Sequence, residues 1–139
     1  MVENPSDEVI WDVLSQYRRV AVVGLSDKPN RPSFGIASYL HGHGYTVLPV
    51  NPVIDSWQGI PATPSAAEAP GPVEIVDVFR RAEDVPPVVD DAIAAGAKVV
   101  WLQLGIVNEE AAARARDAGL IVVQDRCIMV EHRRLLGAG

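Results

Sequence analysis

Cys127 has no second cysteine to pair with in the 139 residues, so no internal disulfide can staple this chain and its core must come from apolar packing. Long hydrophobic runs are also missing. A stretch such as Val99 to Leu104 falls far short of the roughly 20 apolar residues that a membrane-spanning helix needs. Positive charge is scarce, with 12 Lys and Arg against 18 Asp and Glu, a net charge of -6 and a pI near 4.9. That balance argues against the broad basic face through which proteins hold nucleic acid. The opening residues Met1-Val2-Glu3-Asn4 are acidic and polar, unlike a signal peptide, and a cytoplasmic location is the expectation.

A hydrophobic content of 48% over this length suits one domain, residues 1–139, with a sizeable core. Residues 5–18 read as an N-terminal helix packed on that domain, with Ser6 as its cap, Asp7 and Glu8 early and Arg18 late. Apolar strands are predicted at 19–24, 46–51, 74–79, 98–104 and 120–123. Helices are predicted at 33–43, 84–96, 108–119 and 127–136, closed by Gly44, Gly96 and Gly119 where a glycine follows. The segment from Pro52 to Pro72 is rich in Pro, Ala, Gly and Ser and reads as irregular, with one short helix near 65–69. Strand and helix alternate throughout, which predicts a Rossmann-like α/β fold. The expected form is an open parallel five-stranded sheet, in the order 3-2-1-4-5, with helices on both faces.

In such sheets ligands sit beyond the carboxyl ends of the strands, where the strand order reverses. The run Val20-Ala21-Val22-Val23-Gly24 followed by Ser26, Lys28, Arg31 and Ser33 is a strand, a loop and a helix start. Unpaired helix amides, two cations and two hydroxyls converge there, a combination that suits phosphate. A plain hydrophilic turn stays open as the alternative. The dinucleotide fingerprint G-x-G-x-x-G is absent: after Gly24 the next glycine is Gly35, beyond a proline-punctuated basic loop. At the second strand end stands Asn51-Pro52, a turn former or a ligand contact, where a nicotinamide-dinucleotide domain usually offers an acid. Phe79 and Arg80 could stack on a base and pair with phosphate, while Arg81 reads as solvated. Trp101 reads as core, with Gln103 and Gly105 nearer the edge.

Cys127 falls at a helix start that would favour its thiolate, against the plainer reading of a small buried residue. His41 and His43 point about 200° apart on a helix and cannot share a metal. His132 reads as isolated. No metal site and no catalytic constellation is expected.

The ordered motifs Val-Ala-Val-Val-Gly-Leu-Ser (20–26), Arg-Pro-Ser-Phe-Gly-Ile (31–36), Gly-Tyr-Thr-Val-Leu-Pro-Val-Asn-Pro (44–52), Val-Asp-Val-Phe-Arg-Arg (76–81), Trp-Leu-Gln-Leu-Gly-Ile-Val-Asn-Glu-Glu-Ala (101–111) and Asp-Arg-Cys-Ile-Met-Val-Glu (125–131) together resemble the small stand-alone CoA-binding proteins. These are similar in fold to the N-terminal CoA-binding domain of the succinyl-CoA synthetase alpha subunit. The resemblance implies a module that binds coenzyme A without catalysis, its diphosphate around Gly24, Ser26, Arg31, Ser33 and Phe34. It implies adenosine near Asn51, Pro52, Phe79 and Arg80. Gln103, Gly105 and Cys127 would line the way to the pantetheine arm, where Cys127 could form a mixed disulfide with CoA. The chain departs from the pattern at Val53, where members often carry lysine. An NAD(P)-binding oxidoreductase domain, a homo-oligomer and a CoA-binding partner of an acyl-CoA ligase stay open.

Overall fold

The computed structural model describes residues 2–137. Its strands are β1 (Arg19–Val23), β2 (Thr46–Val50), β3 (Ser56–Trp57), β4 (Ile60–Pro61), β5 (Ile75–Val78), β6 (Val99–Leu102) and β7 (Ile121–Val123). The α-helices are α1 (Asp7–Gln16), α2 (Pro32–Gly42), α3 (Val85–Ala94), α4 (Glu109–Asp117) and α5 (Ile128–Leu135). Five strands form one parallel sheet in the order β2-β1-β5-β6-β7.

Register turns the period-two pattern of each strand into rows that cross the sheet. Val47, Val20, Ile75 and Val99 lie abreast and belong to the core under α1, α2 and α5; Leu48, Ala21, Val76 and Val100 form the next row and face α3 and α4. Because both faces are covered, the strands need apolar residues at every position, and their near-continuous Val and Ile runs supply them. Helices contribute one stripe each: Ile10, Val13 and Leu14 from α1, and Val85, Val88, Val89 and Ala92 from α3. Ser6 caps α1 by accepting the Val9 amide at 3.3 Å, and Asn108 caps α4 by accepting that of Ala111 at 3.0 Å.

The open parallel sheet is the expected one, but its strand order is not. The strand at 74–79 does not sit outside β2; it pairs with β1, Val20 beside Ile75, so the order of the five is 2-1-3-4-5. Outside β2 there is instead one parallel bridge, Val50 to Thr63, with the Asn51 amide donating to Thr63 C=O and the Thr63 amide to Pro49 C=O. Pro49 is the physical reason. Its carbonyl faces outward, so its nitrogen does too, and that nitrogen has no hydrogen with which to continue a ladder. The fully buried β5 needs a neighbour on each side and finds them in β1 and β6.

The segment read as irregular also holds a hairpin, β3 with β4, turned by Gln58 and Gly59 at φ of 51° and 78°. Two successive positive φ values are the signature of a two-residue hairpin turn. It drives Trp57, 2% exposed, against the edge of Phe34 with ring centroids 5.7 Å apart. The short helix expected near 65–69 is a 3-10 turn at Ala66–Glu68. His132 is not isolated. Its Nδ1 lies 2.8 Å from the Tyr39 hydroxyl, and its ring meets those of His43 and Tyr45 edge-on. His41 turns away toward Trp57, so the two histidines of α2 diverge as expected.

Asp77 lies in the middle of β5, between Val22 and Trp101, with no exposure and neither carboxyl oxygen hydrogen-bonded among the described residues. Burial pushes its pKa well above the usual carboxyl value. The folded state therefore holds this proton more tightly than the unfolded chain does, and stability falls as pH rises from about 4 upward. Asp77→Asn removes the titration at constant size. Urea unfolding should show it roughly equal to the parent near pH 4 and more stable at pH 8, because only the parent must there either ionise in a dry site or hold its proton against the solution. A parent whose stability does not fall over that interval would refute this assignment.

Candidate functional site

Gly24 ends β1 at φ 86°, a conformation that glycine adopts at no steric cost. Its amide donates to Val50 C=O at 2.8 Å while the Phe79 amide donates to Val23 C=O at 2.8 Å, so β1 is gripped from both sides at its end. A Cβ at residue 24 would stand 2.2 Å from the Phe79 carbonyl oxygen and 3.3 Å from Nη1 of Arg80. The glycine is what lets the ends of β1 and β5 close up. From there the chain leaves β1 toward β2 and leaves β5 toward β6. That divergence opens a crevice.

The crevice is a cleft of about 480 Å³, lined by Gly24, Ser26, Asp27, Lys28, Arg31, Pro32, Ser33, Asn51, Val53, Ile54 and Phe79. Its floor is a loop tied to itself. The Ser26 amide donates to Ser33 Oγ at 3.0 Å, the Lys28 amide to Ser26 Oγ at 3.1 Å, and the Arg31 amide to Lys28 C=O at 3.1 Å. Asn51, 8% exposed, fixes the loop from the β2 side, with Nδ2 donating to Leu25 C=O at 3.0 Å and Oδ1 accepting the Val53 amide at 3.1 Å. These bonds give Ser33 and Asn51 positioning roles in the floor of the cleft.

Helix α2 starts at this floor, and its start differs from those of α1 and α4. Those two carry side-chain caps and acids in the first turn, whereas α2 has Arg31 at its cap position with no side-chain bond, Pro32 next and no acid in the first turn. The Phe34 and Gly35 amides of this turn donate to Arg31 C=O at 3.1 and 3.4 Å and Pro32 has no amide hydrogen, so the Ser33 amide and the positive end of the dipole face the cleft floor. Lys28 and Arg31 are exposed there and pair with no carboxylate among the described residues.

Seven of the thirteen residues singled out in the sequence thus meet in one cleft: Gly24, Ser26, Lys28, Arg31, Ser33, Asn51 and Phe79. Pro52 and Arg80 line a neighbouring hollow of about 350 Å³, and Gly105 lies with Phe79 and Arg80 in a third, shallower one of about 620 Å³. Phe34 packs on Trp57 beneath the loop. Gln103 is 4% exposed and its Oε1 accepts the Ile128 amide at 3.0 Å, which caps α5. Cys127 is half-buried against the apolar core under α1, α2 and α5, outside the cleft's lining. The sequence reading missed Asp27, Pro32, Val53 and Ile54 as lining residues. Their only signal was adjacency to residues already named.

A family model for the CoA binding domain matches residues 18–133. The chain belongs to the CoA-binding domain family. The Bacillus subtilis (strain 168) protein YneT is 43% identical over 131 residues, covering 94% of this chain and 97% of YneT. A solved protein from Pyrococcus horikoshii OT3 is 42% identical with a TM-score of 0.92, over 99% of this chain and all of that one. The likeness in fold extends to larger proteins. The acetyl-coenzyme A synthetase 1 of Ca. Korarchaeum cryptofilum, solved with phosphate and ADP, matches 83% of this chain at 25% identity and a TM-score of 0.72, and the match spans 28% of the synthetase.

The closeness at Gly24 is testable by stability. Gly24→Ala places a Cβ against the Phe79 carbonyl in a left-handed conformation and should cost about 2–4 kcal/mol in urea unfolding. Gly35→Ala, inside α2 with nothing within 4 Å of its Cβ, should leave stability unchanged or raise it by up to about 1 kcal/mol. Equal effects at the two positions would contradict this account of the crevice.

Proposed function

We propose that the protein binds coenzyme A, free or acylated, as a binding module rather than a catalyst. The observation that carries this reading is the pair of unpartnered cations, Lys28 and Arg31, over an uncapped, acid-free helix start in the cleft of a CoA-binding-domain fold. A diphosphate at that point would meet the positive end of α2 and both cations, with Gly24 allowing close approach and Ser26 and Ser33 holding the loop. The adenosine end would run toward Pro52 and Arg80, and the pantetheine arm past Phe79 toward Gly105. The match to a segment of an acetyl-coenzyme A synthetase supports the same ligand and keeps open a ligase partner chain. Co-purification with a larger acyl-CoA ligase subunit would favour that partnership.

Calorimetric titration with coenzyme A, with NADH in parallel, tests the reading. Coenzyme A should bind and NADH should not, since the glycine triplet is absent and Asn51 stands where an acid would hold the ribose. Arg31→Ala should weaken coenzyme A binding about tenfold or more, the worth of a hydrogen bond to a charged group. Binding of NADH in place of coenzyme A would overturn the proposal.

A further inference from the structure

The hollow beside the phosphate cleft has a lining of its own that the phosphate reading does not use. It opens toward the face covered by α3, with a volume of about 350 Å³. Its walls are apolar and stiff: Val50, Pro52, Pro87 and Val88 carry few rotatable bonds, and such walls suit a flat ring better than a flexible chain. Its polar groups differ in what they have left to offer. Asp84 is paired with Arg81 at 3.3 Å, and the Ser65 hydroxyl is turned to Glu68 at 2.9 Å. Asp91 is half-buried and has no hydrogen-bond or ion-pair partner among the described residues. Arg80, also unpaired, stands at the rim it shares with the phosphate side, 3.3 Å from the Cβ position of Gly24.

We propose that Asp91 is a specificity-determining residue: its carboxylate accepts a hydrogen bond from the exocyclic amino group of an adenine ring held between the valine and proline walls. The inference rests on the coenzyme A reading above and deepens it by saying how the base is told from other purines. An ionised carboxylate only accepts, so it matches a 6-amino purine and sets oxygen against oxygen with a 6-oxo purine. Burial, together with Asp90 and Glu68 nearby, raises the pKa of Asp91, the mark of a carboxylate short of donors. The hollow is thus acidic beside a basic cleft. That division complements a ligand with phosphates at one end and an amino-bearing ring at the other.

The test is calorimetric titration of the whole protein with coenzyme A and with its hypoxanthine analogue, in which a 6-oxo group replaces the 6-amino group. The parent should favour coenzyme A by about tenfold or more. Asp91→Asn, of equal size and able to accept or donate, should narrow that preference to about twofold or reverse it. Asp90→Asn makes the same charge change on the neighbouring residue, which pairs with Arg114 at 2.9 Å, and should preserve the preference. Tight binding of both ligands with equal affinity, or a preference that survives Asp91→Asn, overturns the assignment while leaving the coenzyme A reading intact. No binding of either ligand overturns that reading, and the inference with it.

Discussion

The pairing of β1 with β5 is the contact on which the rest of the molecule depends. It puts two parallel strands side by side whose onward connections run toward opposite edges of the sheet, so a cleft opens at their common end. The pairing continues past the strands proper, through the Phe79 amide to Val23 C=O, and it does so because residue 24 has no side chain to hold the two backbones apart. Every polar group proposed to meet a ligand is positioned relative to that junction. The helix that aims its amides at it is itself held at the other end by Tyr39 and His43 against His132 of α5.

The carboxyl edge of the sheet divides into an open half and a closed half. At β6 and β7 the side chains that reach the edge bond to one another's loops: Gln103 to the Ile128 amide, Gln124 to the Asn108 amide and Glu109, Asp125 to the Gly105 amide at 2.7 Å, and Asn108 onward to Ala82 C=O. These bonds satisfy polar groups that would otherwise be costly to bury, and they leave little capacity for a ligand. At β1, β2 and β5 the opposite holds. There the side chains that bond internally are the small ones, Ser26, Ser33 and Asn51, while Lys28, Arg31 and Arg80 have no carboxylate partner among the described residues. Position at a strand end is thus necessary for a binding role without being sufficient.

Most of the fold could be read from the sequence because each element carries its own local signal: a valine run, a cap, a closing glycine. Strand order carries no such local signal. It was decided by Pro49, whose missing amide hydrogen faces the outer side of β2, and by Thr63, a lone residue that bridges there inside a segment of turn-forming composition. The hairpin at Trp57 was hidden for a related reason: two-residue strands are too short to show an alternation. Gln103 shows the limit for site residues. A glutamine at the end of a buried strand has the same sequence context whether it caps a neighbouring helix or meets a ligand, and only the position of the Ile128 amide separates the two.

Whether a cation finds a carboxylate partner is a property of three-dimensional arrangement alone. Arg80 and Arg81 are adjacent in the chain and identical in chemistry. Arg81 turns outward to Asp84 in an exposed pair that adds little to stability, while Arg80 lies over Gly24 with no carboxylate in reach among the described residues. Arg114, Arg126 and Arg134 are likewise committed to Asp90, to Glu131, and to Asp7 with Glu131. Arg18, Arg19, Lys98, Arg116 and Arg133 also have no carboxylate partner among the described residues, so what distinguishes Lys28, Arg31 and Arg80 is that they stand together around one crevice and the hollow beside it. Their charge adds to the positive end of the α2 dipole, so in a chain of net charge -6 the crevice carries a local excess of positive potential.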